Sequence, residues 1–319
     1  LQKRHFFAVL TRAMPKGGLG FSGGVMKKLM HGLLVISFLF LTGSVFAEHY
    51  VNGVEGIKGG SVPPPGTYLR LYNAYYTADK MMDPSGSEAD IGFDVEVMAV
   101  VPRLIWVSQK TVLGGNYAAD IIVPFVSTDL QIDAAGLDDD QTGLGDIFIE
   151  PLVLAWHGDR YDAAVGAGVW LPTGDYDASE PASPGKDMYT TMLTLGGTVY
   201  ADAARTWSAS LLSRYEIHSE MDELDLTPGD DFHFEWGVAK TVGKYWDIGL
   251  AGYCQWQVTK DKGRDRQSNE KDQVYAAGPE VSVFIPKAML FASLRALWEF
   301  EAEDRSEGQM AVLTLTKIF

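Results

Sequence analysis

Residues 246–258 read WDIGLAGYCQWQV. Trp246, Ile248, Leu250, Cys254, Trp256 and Val258 fall on one parity; Asp247, Tyr253, Gln255 and Gln257 fall on the other. A repeat of two is that of an extended strand, whose successive side chains point to opposite faces. A strand half-buried in a soluble sheet alternates in the same way. What separates the two cases is the position of the aromatics. Here tryptophans stand near both ends of the apolar face, as in a lipid-facing band bounded by interfacial aromatic girdles. Cys254, on the lipid parity, then reads as a small apolar residue and not a redox centre. It is the only cysteine of the 319 residues, so no intramolecular disulfide can form.

The same alternation recurs along the chain. WSASLLSRYEI sets Trp207, Ala209, Leu211, Tyr215 and Ile217 against Ser208, Ser210, Arg214 and Glu216. FHFEWGV sets Phe232, Phe234, Trp236 and Val238 against His233 and Glu235, and LFASLRALWEF sets Leu290, Leu294, Trp298 and Phe300 against Ser293, Arg295 and Glu299. Strands are expected at about 67–77, 90–107, 112–131, 144–156, 161–171, 188–200, 205–217, 230–241, 245–258, 272–285, 288–301 and 307–319, from this alternation. The connectors between them alternate in length. SQKT, HGDR, DAAR, VGK and PK are tight; DKMMDPSGSEA, DAAGLDDDQTG, DYDASEPASPGK, HSEMDELDLTPG, KDKGRDRQSNEK and AEDRSEG are long and polar. Short periplasmic turns and long outer loops predict an all-β, transmembrane, antiparallel outer-membrane β-barrel of about twelve strands, with both termini on the periplasmic side.

The segment MKKLMHGLLVISFLFLTGSVFA (26–47) has two lysines, an apolar run and a small-residue ending, the layout of a secretory signal peptide cleaved before Glu48. The apolar run is shorter than the roughly 20 residues that a spanning helix needs. The expected plan is an upstream extension outside the native protein (1–25), the signal peptide (26–47), a Gly/Pro-rich segment (48–66) and the barrel (67–319), exported to the bacterial outer membrane. Segment 48–66, EHYVNGVEGIKGGSVPPPG, does not alternate. It reads as a periplasmic tail, with a short plug folded into the lumen as the other possibility. The net charge is −16. Loss of the six basic residues before Glu48 leaves 20 basic and 42 acidic residues and a net charge of −22. That argues against nucleic acid or an anionic membrane as a partner.

The chain ends LTLTKIF, with Leu313, Leu315 and Phe319 on one parity. This resembles the C-terminal signal that the barrel-assembly machinery reads in outer-membrane proteins. Lys317 departs from that pattern, and its stem can snorkel at the membrane edge. In order, PPPGTYLRLYNAYY, VPRLIWV, GLGDIFIEPLVLAWH and LPTGDYD resemble the outer-membrane proteins named for the meta-pathway of phenol degradation. The resemblance covers about 48–319. It implies an outer-membrane channel for aromatic or other hydrophobic compounds, with no catalytic activity and no cofactor. Its partners would be outer-membrane lipids, lipopolysaccharide, the assembly machinery and a small hydrophobic solute.

Polar parity projects Arg70, Asp94, Glu96, Asp120, Asp146, Glu150, Arg214, Glu216, His233, Glu235, Asp247, Glu280, Arg295 and Glu299 into the lumen. Charges in such an interior must be hydrated or paired. They either line a path that disfavours anions or form ladders that fill the barrel. Two other functions compete with the channel. One is an outer-membrane lipid hydrolase using His218 and Ser219, but adjacent strand residues point to opposite faces. The other is a structural or adhesive barrel. The acidic stretches LDDDQTGLGD and DELDLTPGDD do not match calcium-loop spacing, and no metal site is predicted.

Overall fold

The computed structural model describes residues 49–266 and 268–319; the upstream extension and the signal peptide lie outside these. The strands are β1 (Gly66–Met81), β2 (Phe93–Val112), β3 (Gly115–Ile122), β4 (Phe125–Ile132), β5 (Leu137–Leu144), β6 (Ile147–His157), β7 (Tyr161–Leu171) and β8 (Thr190–Tyr200). They continue as β9 (Trp207–His218), β10 (Leu226–Thr227), β11 (Asp231–Val242), β12 (Trp246–Gln257), β13 (Lys262–Gly263), β14 (Gln273–Ile285), β15 (Leu290–Glu303) and β16 (Ser306–Ile318). Twelve of them close a ring of antiparallel neighbours, β1-β2-β3-β6-β7-β8-β9-β11-β12-β14-β15-β16. β1 closes it, pairing with β2 from Gly66↔Val107 to Ala78↔Val95 and with β16 from Tyr68↔Ile318 to Met81↔Ser306. Closure leaves no backbone edge exposed to lipid, the condition for spanning a bilayer with strands.

The short turns share one end with Gly66 and Ile318. At the first, Leu113 and Gly114 both take positive φ (52° and 80°), the backbone that matches the twist of a two-residue hairpin. Outside, Leu211, Ile248, Leu250, Leu294 and Leu313 form an exposed apolar band. Trp207, Tyr245 and Trp246 flank it near the short turns, and Trp298 and Phe300 flank it toward the long loops. Lys317 donates to the Ala288 carbonyl at 2.6 Å, so its charge sits at the turn end.

One departure from an even wall positions the site. The expected third and fourth strands each break, at Pro124 and at Gly145–Asp146. Pro124 cannot donate to the ladder. Above the breaks, β4 and β5 form a hairpin joined through Asp133–Ala135, so DAAGLDDDQTG is largely strand and not a loop. β4 still pairs with β2 (Phe93↔Ile132 to Val100↔Phe125), but among the described residues β5 has no ladder partner on its far edge. In this extension the alternation inverts. Asp94, Glu96, Ser127 and Asp129 face outward and are exposed, while Val95, Leu130 and Ile132 are buried inside. A polar outer face belongs to water, so the hairpin rises beyond the hydrocarbon layer. Asp94 and Glu96 are therefore not lumen residues. Parity with a lipid-facing band assigns faces only at membrane depth, and these two lie above it.

Loop 172–189 lies along the free edge of β5. Asp175 N–H donates to the Leu144 carbonyl (2.8 Å), and Ala182 N–H donates to Asp139 Oδ2 (2.9 Å). Met188, Met221 and Leu226 pack into a small buried cluster with Tyr176 and Leu224. The outer loops thus form a folded roof over the barrel instead of a set of solvated tethers.

Candidate functional site: an inner segment and an outer apolar cavity

Residues 49–65 run inside the barrel, from the short-turn end at Pro65 toward the outer end at His49. Glycines allow this close passage. A Cβ on Gly60 would lie 2.4 Å from the Gly197 carbonyl oxygen, and one on Gly237 would lie 2.9 Å from Ile57 Cα. Near the short turns, Ser61 donates to Asp162 (2.9 Å), Gly60 N–H donates to Ser210 Oγ (2.9 Å) and Lys58 pairs with Asp247 (2.8 Å). The periplasmic-tail reading of this segment is corrected: proline and glycine content signals absence of a strand, not exposure to solvent.

Midway along, Glu55 joins three arginines. Its carboxylate lies 2.5 Å from Arg70, 2.6 Å from Arg103 and 3.8 Å from Arg214, and it accepts the Tyr72 hydroxyl at 2.8 Å. Arg103 also holds Asp120 through two bonds (3.0 and 2.8 Å) and reaches Glu150 at 3.5 Å. Arg214 pairs with Glu235 at 3.2 Å and lies 3.7 Å over the Tyr50 ring. The Tyr50 hydroxyl and the Glu55 N–H both donate to Glu235, each at 2.9 Å. Alongside, Arg295 pairs with Glu280 (3.1 Å) and donates to the carbonyls of Gly53 and Val54. Charges of this kind are tolerated in a buried position only when matched and hydrogen-bonded. The network ties both walls of the barrel to the inner segment and crosses the axial path.

Of the projected residues, Arg70, Asp120, Glu150, Arg214, Glu235, Glu280 and Arg295 meet in these contacts. Asp247 lies below them with Lys58, and Glu299 accepts the hydroxyls of Tyr76 (2.8 Å) and Tyr253 (2.5 Å). Asp146, Glu216 and His233 stand higher, around His49 and Tyr50. Alternation alone missed Glu55, Arg103 and Arg305. With them, the lumen charges are largely tied into ion pairs, Arg305 reaching Asp272 at 3.5 Å, although carboxylates still outnumber the basic side chains. Ser219 donates to the Glu220 carbonyl (2.9 Å) and accepts the Tyr189 N–H (3.0 Å), while His218 turns inward to Thr190 (2.7 Å) and Asp231 (3.1 Å). The structure does not bring His218 and Ser219 together.

Above the network lies a cavity of about 230 Å³. Tyr50 and Val54 contribute its floor; Val95, Val97, Ala99, Val101, Ile122, Val126 and Leu130 line one wall; Pro181 and Ala182 belong to its roof. Trp170 stacks on His49 (centroids 5.5 Å apart, 9° between planes) at its side. The cavity touches the broken part of the wall through Pro124 and Gly145. There the seam is packed backbone to backbone: a Cβ on Gly174 would lie 2.8 Å from Gly145 C and from Gly185 Cα. Outside the strands, burial raises the Asp187 carboxyl, the charges of Asp222 and Glu223 add to the rise, and hydrogen bonds from the backbone N–H groups of the same two residues offset part of it.

Fold and site together define an outer-membrane β-barrel with an internal N-terminal segment and an apolar chamber under its roof. The chain belongs to the family described as "Putative MetA-pathway of phenol degradation", which matches residues 78–315. Among solved structures it is similar to an outer membrane channel from Pseudomonas putida F1, at 14% identity and TM-score 0.73, covering 85% of this chain and 100% of that one. It is also similar to the translocator domain of the autotransporter NalP from Neisseria meningitidis, at 8% identity and TM-score 0.48, covering 82% and 91%. No curated protein matches the chain.

Proposed function

We propose that the protein is an outer-membrane channel for passive uptake of small hydrophobic, including aromatic, compounds. The observation that carries this reading is the apolar cavity set above a charge network that crosses the axis. An apolar cavity of about 150 Å³ already takes benzene, so 230 Å³ accommodates a substituted monoaromatic. Such a solute gains nothing from the ion-paired lumen below and would leave sites there unmatched. The route of least cost runs from the outer loops into the cavity, then sideways past Pro124 and Gly145, at the foot of the β4–β5 extension where it meets the hydrocarbon layer and where Gly145 packs against Gly174 of loop 172–189. Lipid, not periplasm, then receives the solute first.

Ala99 lines the cavity from β2 and is buried. Ala99→Phe should fill the space at an overpacking cost of about 1–3 kcal/mol, leaving a folded barrel that shows the usual heat-modifiable gel mobility. Cells lacking the chromosomal copy and carrying this variant should take up a monoaromatic hydrocarbon as slowly as cells with no protein. Wild-type rates in that variant would remove the cavity from the route.

A further inference from the structure

We propose that the outer lumen holds a divalent-cation site of the zinc type, built from Glu216, His218, Asp231 and His233. β9 supplies Glu-x-His at 216 and 218, and β11 supplies Asp-x-His at 231 and 233. Within each strand the spacing of two puts both side chains on the inward face. The ladder pairs Asp231 with Glu216 and His233 with Arg214, so Glu216, His218 and Asp231 form one patch across two strands and His233 meets it through Glu216. One ligand atom from each of Glu216, His218 and Asp231 lies within 4.8 Å of the others, and all three residues are buried.

A second observation points to a ligand. His233 is fully buried, and neither ring nitrogen has a hydrogen-bond partner among the described residues. Glu216, also fully buried, has its Oε1 in the same condition. His233 Nε2 and Glu216 Oε1 face each other at 3.9 Å. That is too long for a hydrogen bond, and about half an ångström more than the roughly 3.3–3.4 Å between two tetrahedral ligands each about 2.0–2.1 Å from one zinc ion, a gap that a small side-chain shift closes. Leaving two such groups unmatched in a dry interior is costly; a shared cation would satisfy both. Two imidazoles and two carboxylates are a donor set that suits zinc, with copper and nickel the competing divalent ions.

The surroundings resemble an outer ligand shell. Thr190 Oγ1 lies 2.7 Å from His218 Nδ1, which leaves Nε2 pointing at Asp231 (3.1 Å). Partners of this kind fix the ring orientation of a metal-binding histidine. The tip of the inner segment covers the patch: the His49 N–H donates to Glu216 Oε2 (3.2 Å), and Tyr50 stacks on His233 (5.3 Å between centroids). A cation here would pin the tip of that segment from beneath, and it would have to load before or while the segment docks.

The test is zinc retention by full-length mature protein refolded into detergent with Zn²⁺ present, desalted and assayed for metal. About one zinc per chain is expected. Co²⁺ in its place should give the visible absorption of a four-coordinate site. Glu216→Gln and His218→Asn, both close in shape to the native residues and checked for folding by gel mobility, should each weaken binding roughly tenfold or more. Thr190→Val, which touches no metal, should weaken it by about 10–100-fold while leaving one site per chain. Folded wild-type protein that retains no zinc would overturn the proposal. So would retention undiminished in both ligand variants. Neither result depends on solute uptake.

Discussion

Replacing Glu55 by Ala should open the barrel to ions. The substitution leaves Arg70, Arg103 and Arg214 facing one another across the lumen without the carboxylate that all three contact. Removing one partner of a buried ion pair costs about 3–5 kcal/mol, because the remaining charge stays desolvated. Arg103 keeps Asp120 and Arg214 keeps Glu235, so the wall should hold. The weak point is the inner segment, which loses its central anchor. The expected result is a barrel that folds but whose segment undocks, with ionic conductance in planar bilayers rising well above a small wild-type value. Arg214→Ala should act in the same direction but less strongly, through loss of the contact beneath Tyr50. Unchanged conductance in Glu55→Ala would mean that the segment does not control the axial path.

The second large effect is on the lipid face. Leu250 is exposed on β12 in the middle of the apolar band. Leu250→Arg should destabilise the barrel by roughly 2–4 kcal/mol in refolding titrations in lipid. Ser127→Arg should cost no more than about 0.5 kcal/mol, because Ser127 faces water on the β4–β5 extension. Equal costs at the two positions would move the membrane boundary and undo the account of the inverted alternation.

The strands and their faces were legible because period two survives wherever lipid lies on one side and polar groups on the other. Leu211, Leu250, Leu294 and Leu313 follow directly from it. Asp94 and Glu96 defeated the same rule because it reverses where water replaces lipid. Arg103 was hidden by its neighbours. Val101, Ile105 and Val107 share its inward parity, and Val100, Leu104 and Trp106 cover the other face. With both faces apolar, alternation had nothing to assign. The inner segment was harder still. Its fold depends on ion pairs between residues far apart in sequence, such as Glu55 with Arg214, and no local pattern encodes these. The Glu-x-His and Asp-x-His pairs were visible as residues but not as a group, because it is the β9–β11 register that brings them together.

On the proposed route an apolar solute passes through the outer cavity while the paired lumen stays shut. A phospholipid vesicle cannot test it, since small aromatics cross such bilayers unaided; the lipopolysaccharide leaflet is the barrier that matters. The direct measurement is uptake in intact cells lacking the chromosomal copy, comparing a monoaromatic hydrocarbon with a hydrophilic solute of similar size. Wild-type protein should restore uptake of the hydrocarbon alone, and Ala99→Phe should restore neither. Equal restoration of both solutes by the wild type, or hydrocarbon uptake through Ala99→Phe at the wild-type rate, would contradict the account.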